Sequence, residues 1–375
     1  MSDGDARHLR RAIGLARRGL GRVEPNPLVG AVVVRDGEVA GEGHHAEFGG
    51  PHAERRALEA AGAAARGATV YVNLEPCAHR GKTPPCTRAL TEAGVARVVV
   101  GCRDPHPEAA GGVEALREAG VEVTVGVERE AAARLNAPFL WRQRRDRPFV
   151  TLKLALSLDG RVAARPGERT DVTGREAWEH VHRLRAAHDA VAVGRRTVEV
   201  DDPRLTARGE PGPRRPPVRV VLATRPDLPD GARLARPGAG PPVWIVAARA
   251  GGSAAPGGTR VLEAAPAREG RGVDPTDALR RLGEEGVETL LLEGGGRVAA
   301  SFLRAGTVER MQLIYAPELF GSGAVEGFPG DPPAGGPWRP SERRALGRDT
   351  LLVLDAPALD DVLAAPDGDA GRTGR

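Results

Sequence analysis

A histidine at 52 and cysteines at 77 and 86 must meet at one point if they are to hold a metal, and any fold of the N-terminal half has to satisfy that requirement. One His and two Cys are three good Zn²⁺ ligands, and they leave the fourth tetrahedral position open for water. A zinc ion lowers the pKa of such a water toward neutrality. Glu54, two residues after His52, is not needed as a ligand. It is placed to move protons between that water, a ring nitrogen and a leaving ammonia. Taken singly, a His or a Cys is more often a packed residue than a ligand. The joint pattern carries the metal reading.

Local signals support it. Pro51 favours a helix start at His52, and the run 52–65 reads as helix with Ala57, Leu58 and Ala61 on one face. Thr69 to Leu74 reads as a strand, and Pro76-Cys77 is expected to open a second helix that stops at Gly94. Two helix N-termini would then each deliver a ligand into a positive field. His-x-Glu followed by Pro-Cys and a second Cys is the pattern of the nucleobase and nucleoside deaminases. Here eight residues, Ala78 to Pro85, separate the cysteines instead of two. Two prolines and a glycine make this stretch a loop, and Arg80 and Lys82 make it basic. Such a loop suits an anionic substrate such as a sugar phosphate, or is a solvated turn.

At 375 residues the chain has the length of about two domains. Aromatics at 3% leave few rings for stacking single-stranded nucleic acid, and a net charge of +4 spread along the chain marks no nucleic-acid tract. Three cysteines, two of them assigned to zinc, imply no disulfide framework, and Cys102 reads as a packed residue. The start of the chain has neither the apolar run of a signal peptide nor a membrane anchor. A cytoplasmic enzyme without nucleic-acid or membrane partners is expected.

The first half alternates helix and strand, with the Asp36-Gly37 hairpin signal after the strand run Ala31 to Val34. A polar arginine-rich stretch ending at Pro148 marks a boundary. The expected domains are 1–146 and 147–357, with 358–375 as a disordered tail. The second half restarts with a strand from Phe149 to Leu156. Glu293-Gly294-Gly295-Gly296 ends an apolar strand and opens a helix, a turn whose backbone N–H groups can approach a phosphate. It does not match the G-x-G-x-x-G fingerprint, and alone it is as readily a plain turn.

The chain resembles the bifunctional riboflavin-biosynthesis deaminase–reductase family from about Ala6 to Leu354. The resemblance rests on Pro25-Asn26-Pro27, Gly43-x-His45, Pro51-His52-Ala53-Glu54, Leu74-Glu75-Pro76-Cys77 and Gly81 to Cys86. In the second half it rests on Leu152-Lys153, Ser157-Leu158-Asp159-Gly160, Thr197, Asp201 to Arg208 and Glu293-Gly294-Gly295. The eight-residue gap is this family's own spacing. The resemblance implies an α/β protein, with a cytidine-deaminase-like α/β/α domain followed by a dihydrofolate-reductase-like α/β domain. It implies hydrolytic removal of the 2-amino group of 2,5-diamino-6-ribosylamino-4(3H)-pyrimidinone 5′-phosphate. NADPH reduction of the ribosyl group to ribityl then follows. By similarity His52, Cys77 and Cys86 hold one Zn²⁺ per chain, Glu54 is catalytic, and Asn26, His45 and Lys82 contact the substrate. In the second half Lys153, Arg185, Leu205, Arg208 and Glu293 match substrate positions. Ala155, Thr197, Asp201, Gly295, Gly296 and Ser301 match NADPH positions. A homo-oligomer is expected.

Two stretches depart from the family. Its usual Ser-x-Trp-Ile-Thr/Ser reads Arg169-Thr170-Asp171-Val172-Thr173 here, so a carboxylate replaces a ring. Its Asp-Pro-Asn-Pro reads Asp104-Pro105-His106-Pro107, followed by a shortened glycine loop at Ala110-Gly111-Gly112. Arg169 and Asp171 motivate an alternative, a deaminase paralogue with a weakened or redirected reductase. A zinc-stabilised nucleic-acid or base-binding module is a third reading, and the few aromatics and the intact Glu54 speak against it. For the second half, a doubly wound dinucleotide fold is the rival architecture.

Overall fold

The computed structural model describes residues 3–79, 84–106, 109–209, 212, 214–236, 238, 240–249, 257–268, 270–330 and 337–364. The chain divides into two compact units, Met1–Arg144 together with Asp360–Arg375, and Arg145–Leu359.

The first unit runs α1 (Asp3–Ala16), β1 (Gly30–Arg35), β2 (Glu38–His44), α2 (Ala53–Ala61), β3 (Thr69–Leu74), α3 (Cys86–Glu92), β4 (Arg97–Cys102), α4 (Gly112–Glu118), β5 (Glu122–Val125), α5 (Arg129–Leu135) and α6 (Ala137–Arg142). Its sheet has the order β2-β1-β3-β4-β5. β1 is antiparallel to both neighbours, and β3, β4 and β5 are parallel. The turn between β1 and β2 places Asp36 at φ 51° and Gly37 at φ 83°. Those are the left-handed values that a two-residue hairpin with Asp-Gly requires.

Period-2 alternation sorts the strand side chains onto two faces. Ala31 and Val33 of β1 pack with Ala53 and Ala57 of α2, whereas Val32 and Val34 pack with Leu9, Ala12 and Leu15 of α1. A three-layer α/β/α sandwich results. α2 lies directly on β2, because a Cβ at Gly43 would stand 2.3 Å from the Ala53 carbonyl oxygen. That close approach brings the start of α2, and with it His52, to the sheet.

The second unit contains β6 (Phe149–Leu156), β7 (Arg161–Ala163), α7 (Arg175–Ala186), β8 (Ala190–Gly194), α8 (Arg195–Asp201), β9 (Val218–Ala223), β10 (Val243–Ala247), β11 (Thr259–Glu263), α9 (Pro275–Glu284), β12 (Thr289–Leu292), α10 (Gly296–Arg304), β13 (Arg310–Tyr315), β14 (Val325–Glu326), β15 (Arg339–Leu346) and β16 (Asp349–Asp355). Its main sheet is ordered β11-β10-β9-β8-β12-β6-β13-β16-β15; β16 alone runs antiparallel to both of its neighbours, β13 and β15, and the remaining pairs are parallel. The antiparallel edge and the placement of β6 between β12 and β13 differ from the 3-2-1-4-5-6 order of the doubly wound rival. They fit a dihydrofolate-reductase-like fold. Alternating residues again cover both faces: Ala190 and Ala192 of β8 join the cluster with α9 and α10, while Val191 and Val193 join Leu184 of α7 and Val198 of α8.

Two expectations are corrected. The helix expected to open at Pro76-Cys77, α3, begins instead at Cys86, with Pro85 as its N-cap. Pro84 and Pro85 stop the helix from extending backward, since proline disfavours helix at the preceding residue. The segment 358–364, expected to begin a disordered tail, instead forms a turn and the helix α11 (Asp360–Leu363). Leu359, Val362 and Leu363 are buried, and Arg144 donates to the Asp361 carbonyl at 2.8 Å. The rest of that tail, 365–375, lies outside the described residues.

Candidate active sites

His52 caps the N-terminus of α2 with an extended backbone, which aims its ring away from the helix. Its Nδ1 lies 3.2 Å from Cys86 Sγ and 3.7 Å from Cys77 Sγ. A tetrahedral zinc with ordinary Zn–N and Zn–S bonds sets an N···S edge of about 3.5 Å, so the donor set fits that ion. Among the described residues this is the one grouping of three or more His, Cys, Asp or Glu with ligand atoms this close. Cys77 stands in the loop after β3, yet the start of α3 turns toward it. The Cys86 N–H donates to Cys77 Sγ at 3.4 Å, and the Thr87 N–H donates to the Cys77 carbonyl at 3.3 Å. The Cys86 thiol, together with His52 and the Cys86 N–H, holds the Cys77 thiol down to about 4 against the effect of burial. A thiolate is therefore ready for a cation.

Glu54 sits in the first turn of α2, 3% exposed, and its Oε2 has no partner. A buried carboxylate oxygen without a partner is costly unless a ligand or water completes it. Burial pushes this carboxyl upward, His52 pulls it down and Cys77 pushes it up again, for a net rise. A raised carboxyl suits a group that must both take and give a proton near neutral pH.

Asn26 and His45 come together. His45 Nδ1 lies 3.2 Å from the Pro51 carbonyl and so carries the hydrogen, which leaves Nε2 to accept from Asn26 Nδ2 at 3.3 Å. The His45 and His52 rings meet edge to face at 5.4 Å. Lys82, with Arg80, lies outside the described residues. Residues that the sequence did not single out hold this wall in place. Asn73 accepts from the Gly30 N–H at 2.8 Å, and Asn136 accepts from the Leu28 N–H at 2.8 Å. Glu75 accepts from the backbone of Asp104 and Val113. A Cβ at Gly112 would stand 1.8 Å from the Pro76 carbonyl oxygen, so the glycine lets α4 close on the ligand loop.

In the second unit the carboxyl ends of β8 and β12 lie side by side and lead into α8 and α10, the usual place for a ligand in an open α/β sheet. Arg185 of α7 meets Glu293, which follows β12, and Arg185 Nη1 also donates to the Thr206 carbonyl at 3.2 Å. Lys153 on β6 belongs to the same group. Burial lowers its pKa, Glu293 raises it and Arg185 lowers it. Leu205 is buried at φ 53°, an uncommon backbone for a leucine, and pins the turn that carries Arg208. Gly295 caps α10, and a Cβ there would reach Thr197 Oγ1 of α8 at 3.9 Å, so two expected cofactor positions converge. Gly296 opens α10 against the Glu326 carbonyl. Asp201 ends α8 in the electrostatic reach of Arg169 and Asp171. Ala155 lies on β6, and Ser301 is set back in α10, about 7.5 Å along the axis from its start.

Residues 2–102 match the cytidine and deoxycytidylate deaminase zinc-binding region, and residues 148–352 match the RibD C-terminal domain. The chain is 40% identical to the riboflavin biosynthesis protein RibD of Synechocystis sp. over 86% of each chain. The solved RibD of Acinetobacter baumannii superimposes with a TM-score of 0.75 at 37% identity, covering 94% of this chain and 99% of that one. A diaminohydroxyphosphoribosylaminopyrimidine deaminase/5-amino-6-(5-phosphoribosylamino)uracil reductase from Thermotoga maritima gives the same TM-score and coverage at 35% identity.

Proposed function

Because the chain belongs to the RibD family of bifunctional riboflavin-biosynthesis deaminase–reductases, we propose that each unit performs one of two consecutive reactions on a phosphorylated pyrimidine. Residues 1–146 deaminate 2,5-diamino-6-ribosylamino-4(3H)-pyrimidinone 5′-phosphate. Residues 147–357 reduce the ribosyl group of the product to ribityl and yield 5-amino-6-ribitylaminouracil 5′-phosphate. The observation that carries this reading is the meeting of His52, Cys77 and Cys86 beside the unpartnered Oε2 of Glu54.

His52, Cys77 and Cys86 would hold zinc, which when bound would supply the Lewis acidity that activates a water. Glu54 takes one proton from the attacking water and gives it to the ring nitrogen beside the reacting carbon, then takes the second from the hydroxyl now on that carbon and gives it to the amino group, which leaves as ammonia as the C–N bond breaks. Asn26 and His45 orient the pyrimidine, and Lys82 takes the phosphate. In the second unit NADPH, when bound, supplies the hydride. Thr197, Asp201, Ala155, Gly295, Gly296 and Ser301 form its site, and Thr197 beside Gly295 supports that placement. Lys153, Arg185, Leu205, Arg208 and Glu293 fix the open-chain sugar and its phosphate, so that the reacting carbon faces the hydride donor. Among the described residues no helix is long and apolar enough to cross a membrane. We place the enzyme in the cytoplasm as a homo-oligomer.

Zinc-loaded protein given the diaminopyrimidine phosphate should release ammonia, and given the deaminated compound it should oxidise NADPH. Failure of the first assay removes the deaminase reading. Failure of the second, with deamination intact, removes the reductase reading.

A further inference from the structure

Arg169, Trp178, His182 and Arg208 line one open groove of the second unit. Trp178 is 37% exposed, so part of its indole faces the groove. Its ring lies 6.5 Å from that of His182, one helical turn further along α7, with 37° between their planes. His182 Nδ1 is buried and has no partner. The charges of Arg185, Arg208 and Glu293 act on the same ring. In a neutral imidazole Nδ1 is either the donor or the acceptor, and a ligand group of the opposite kind would complete it. Asp171 offers no ring here. Its carboxylate accepts from Arg169 Nη2 at 2.9 Å.

We propose that Trp178 and His182 determine substrate specificity in the reductase site, the indole face carrying the planar pyrimidine and His182 Nδ1 completing its hydrogen bonding with a polar group of that ring. An indole stacks any planar base, and an unpartnered buried ring nitrogen selects a base that can complete it. Arg208 gives the groove a positive charge that suits a phosphorylated base, while the charge of Arg169 is offset by Asp171. This inference rests on the reductase reading above.

The test is steady-state reduction of the deaminated phosphopyrimidine by the full-length, zinc-loaded protein, with circular dichroism checking each variant. Trp178→Leu, which keeps bulk and loses the π-face, should raise the pyrimidine KM about tenfold or more while kcat moves less than about threefold. Trp178→Phe should return KM to within about threefold of wild type. His182→Phe should also raise KM, and His182→Asn, which keeps a group able to donate or accept, should restore part of the loss. A folded Trp178→Leu with KM within about twofold of wild type overturns the inference alone. A wild type that deaminates but never oxidises NADPH removes the reductase reading, and this inference with it.

Discussion

Arg185 grips Glu293 with two parallel hydrogen bonds of 2.7 Å each, and their side chains are only 7% and 10% exposed. Burial pushes the Glu293 carboxyl up, but the Arg185 guanidinium and Lys153 outweigh it and hold it below its ordinary value. A buried ion pair gives up much of its Coulomb energy to desolvation, so stability is a weak reason to place one here. Under the proposed function the pair would serve as a rigid polar wall beside Lys153, set before the substrate arrives.

Removing one partner of this pair strands the other charge. Glu293→Gln should lower the stability of the second unit by about 3 kcal/mol and raise the KM of reduction. Replacing both residues with apolar ones of similar volume should recover much of the stability and none of the reduction. Urea unfolding of both variants checks this, and a loss below about 1 kcal/mol for Glu293→Gln would contradict it.

Glu54→Gln keeps the shape of the side chain and removes its ability to carry a proton. Ammonia release should fall by about 100-fold or more, with about one zinc per chain retained by elemental analysis. Loss of metal together with activity would make Glu54 a support of the ligand set instead of the proton carrier.

Chelation should separate the two reactions. Stripping zinc abolishes ammonia release and leaves NADPH oxidation with the deaminated compound, because the His52, Cys77 and Cys86 group belongs to the first unit. Cys86→Ser should mimic the chelator. Parallel loss of both reactions would contradict the division of labour.

Burial raises the Asp104 carboxyl from its ordinary 3.8 to about 6, against the pull of the His106 N–H. The folded chain thus holds a proton that the unfolded chain releases. The stability this supplies is full below the unfolded pKa and is lost as pH rises through 6, a change of about 3 kcal/mol. Asp104→Asn stays neutral throughout. Its urea midpoint should gain on that of the wild type between pH 4.5 and 7, and two parallel pH profiles would overturn the assignment.

Much of this was legible in the residues. The β6 strand follows from an apolar run bounded by Pro148 and a glycine turn, and β12 ends where Glu293 begins the glycine run. The zinc ligands and Glu54 are local motifs and needed only a fold to join them. The start of α3 was misread because its prolines act eight and nine residues past Pro76. β15 was missed because its RPSERRAL run is almost wholly exposed and shows no alternation. α9 carried a usable signal in Asp274-Pro275, a capping residue and a first-turn proline. Trp178, His182 and Arg185 share one helical face by spacing alone, a pattern open to sequence reasoning. The clamps on Gly30 and Leu28 were not legible, since Asn73 and Asn136 lie 43 and 108 residues away.

The most direct test puts the diaminopyrimidine phosphate, zinc and NADPH with the purified chain and follows ammonia and NADPH together. One ammonia should appear for each NADPH consumed, with ammonia leading and no NADPH oxidised in the Glu54→Gln protein until the deaminated compound is added. Ammonia release with no NADPH consumption, or NADPH consumption before any ammonia appears, would contradict two consecutive reactions on one chain.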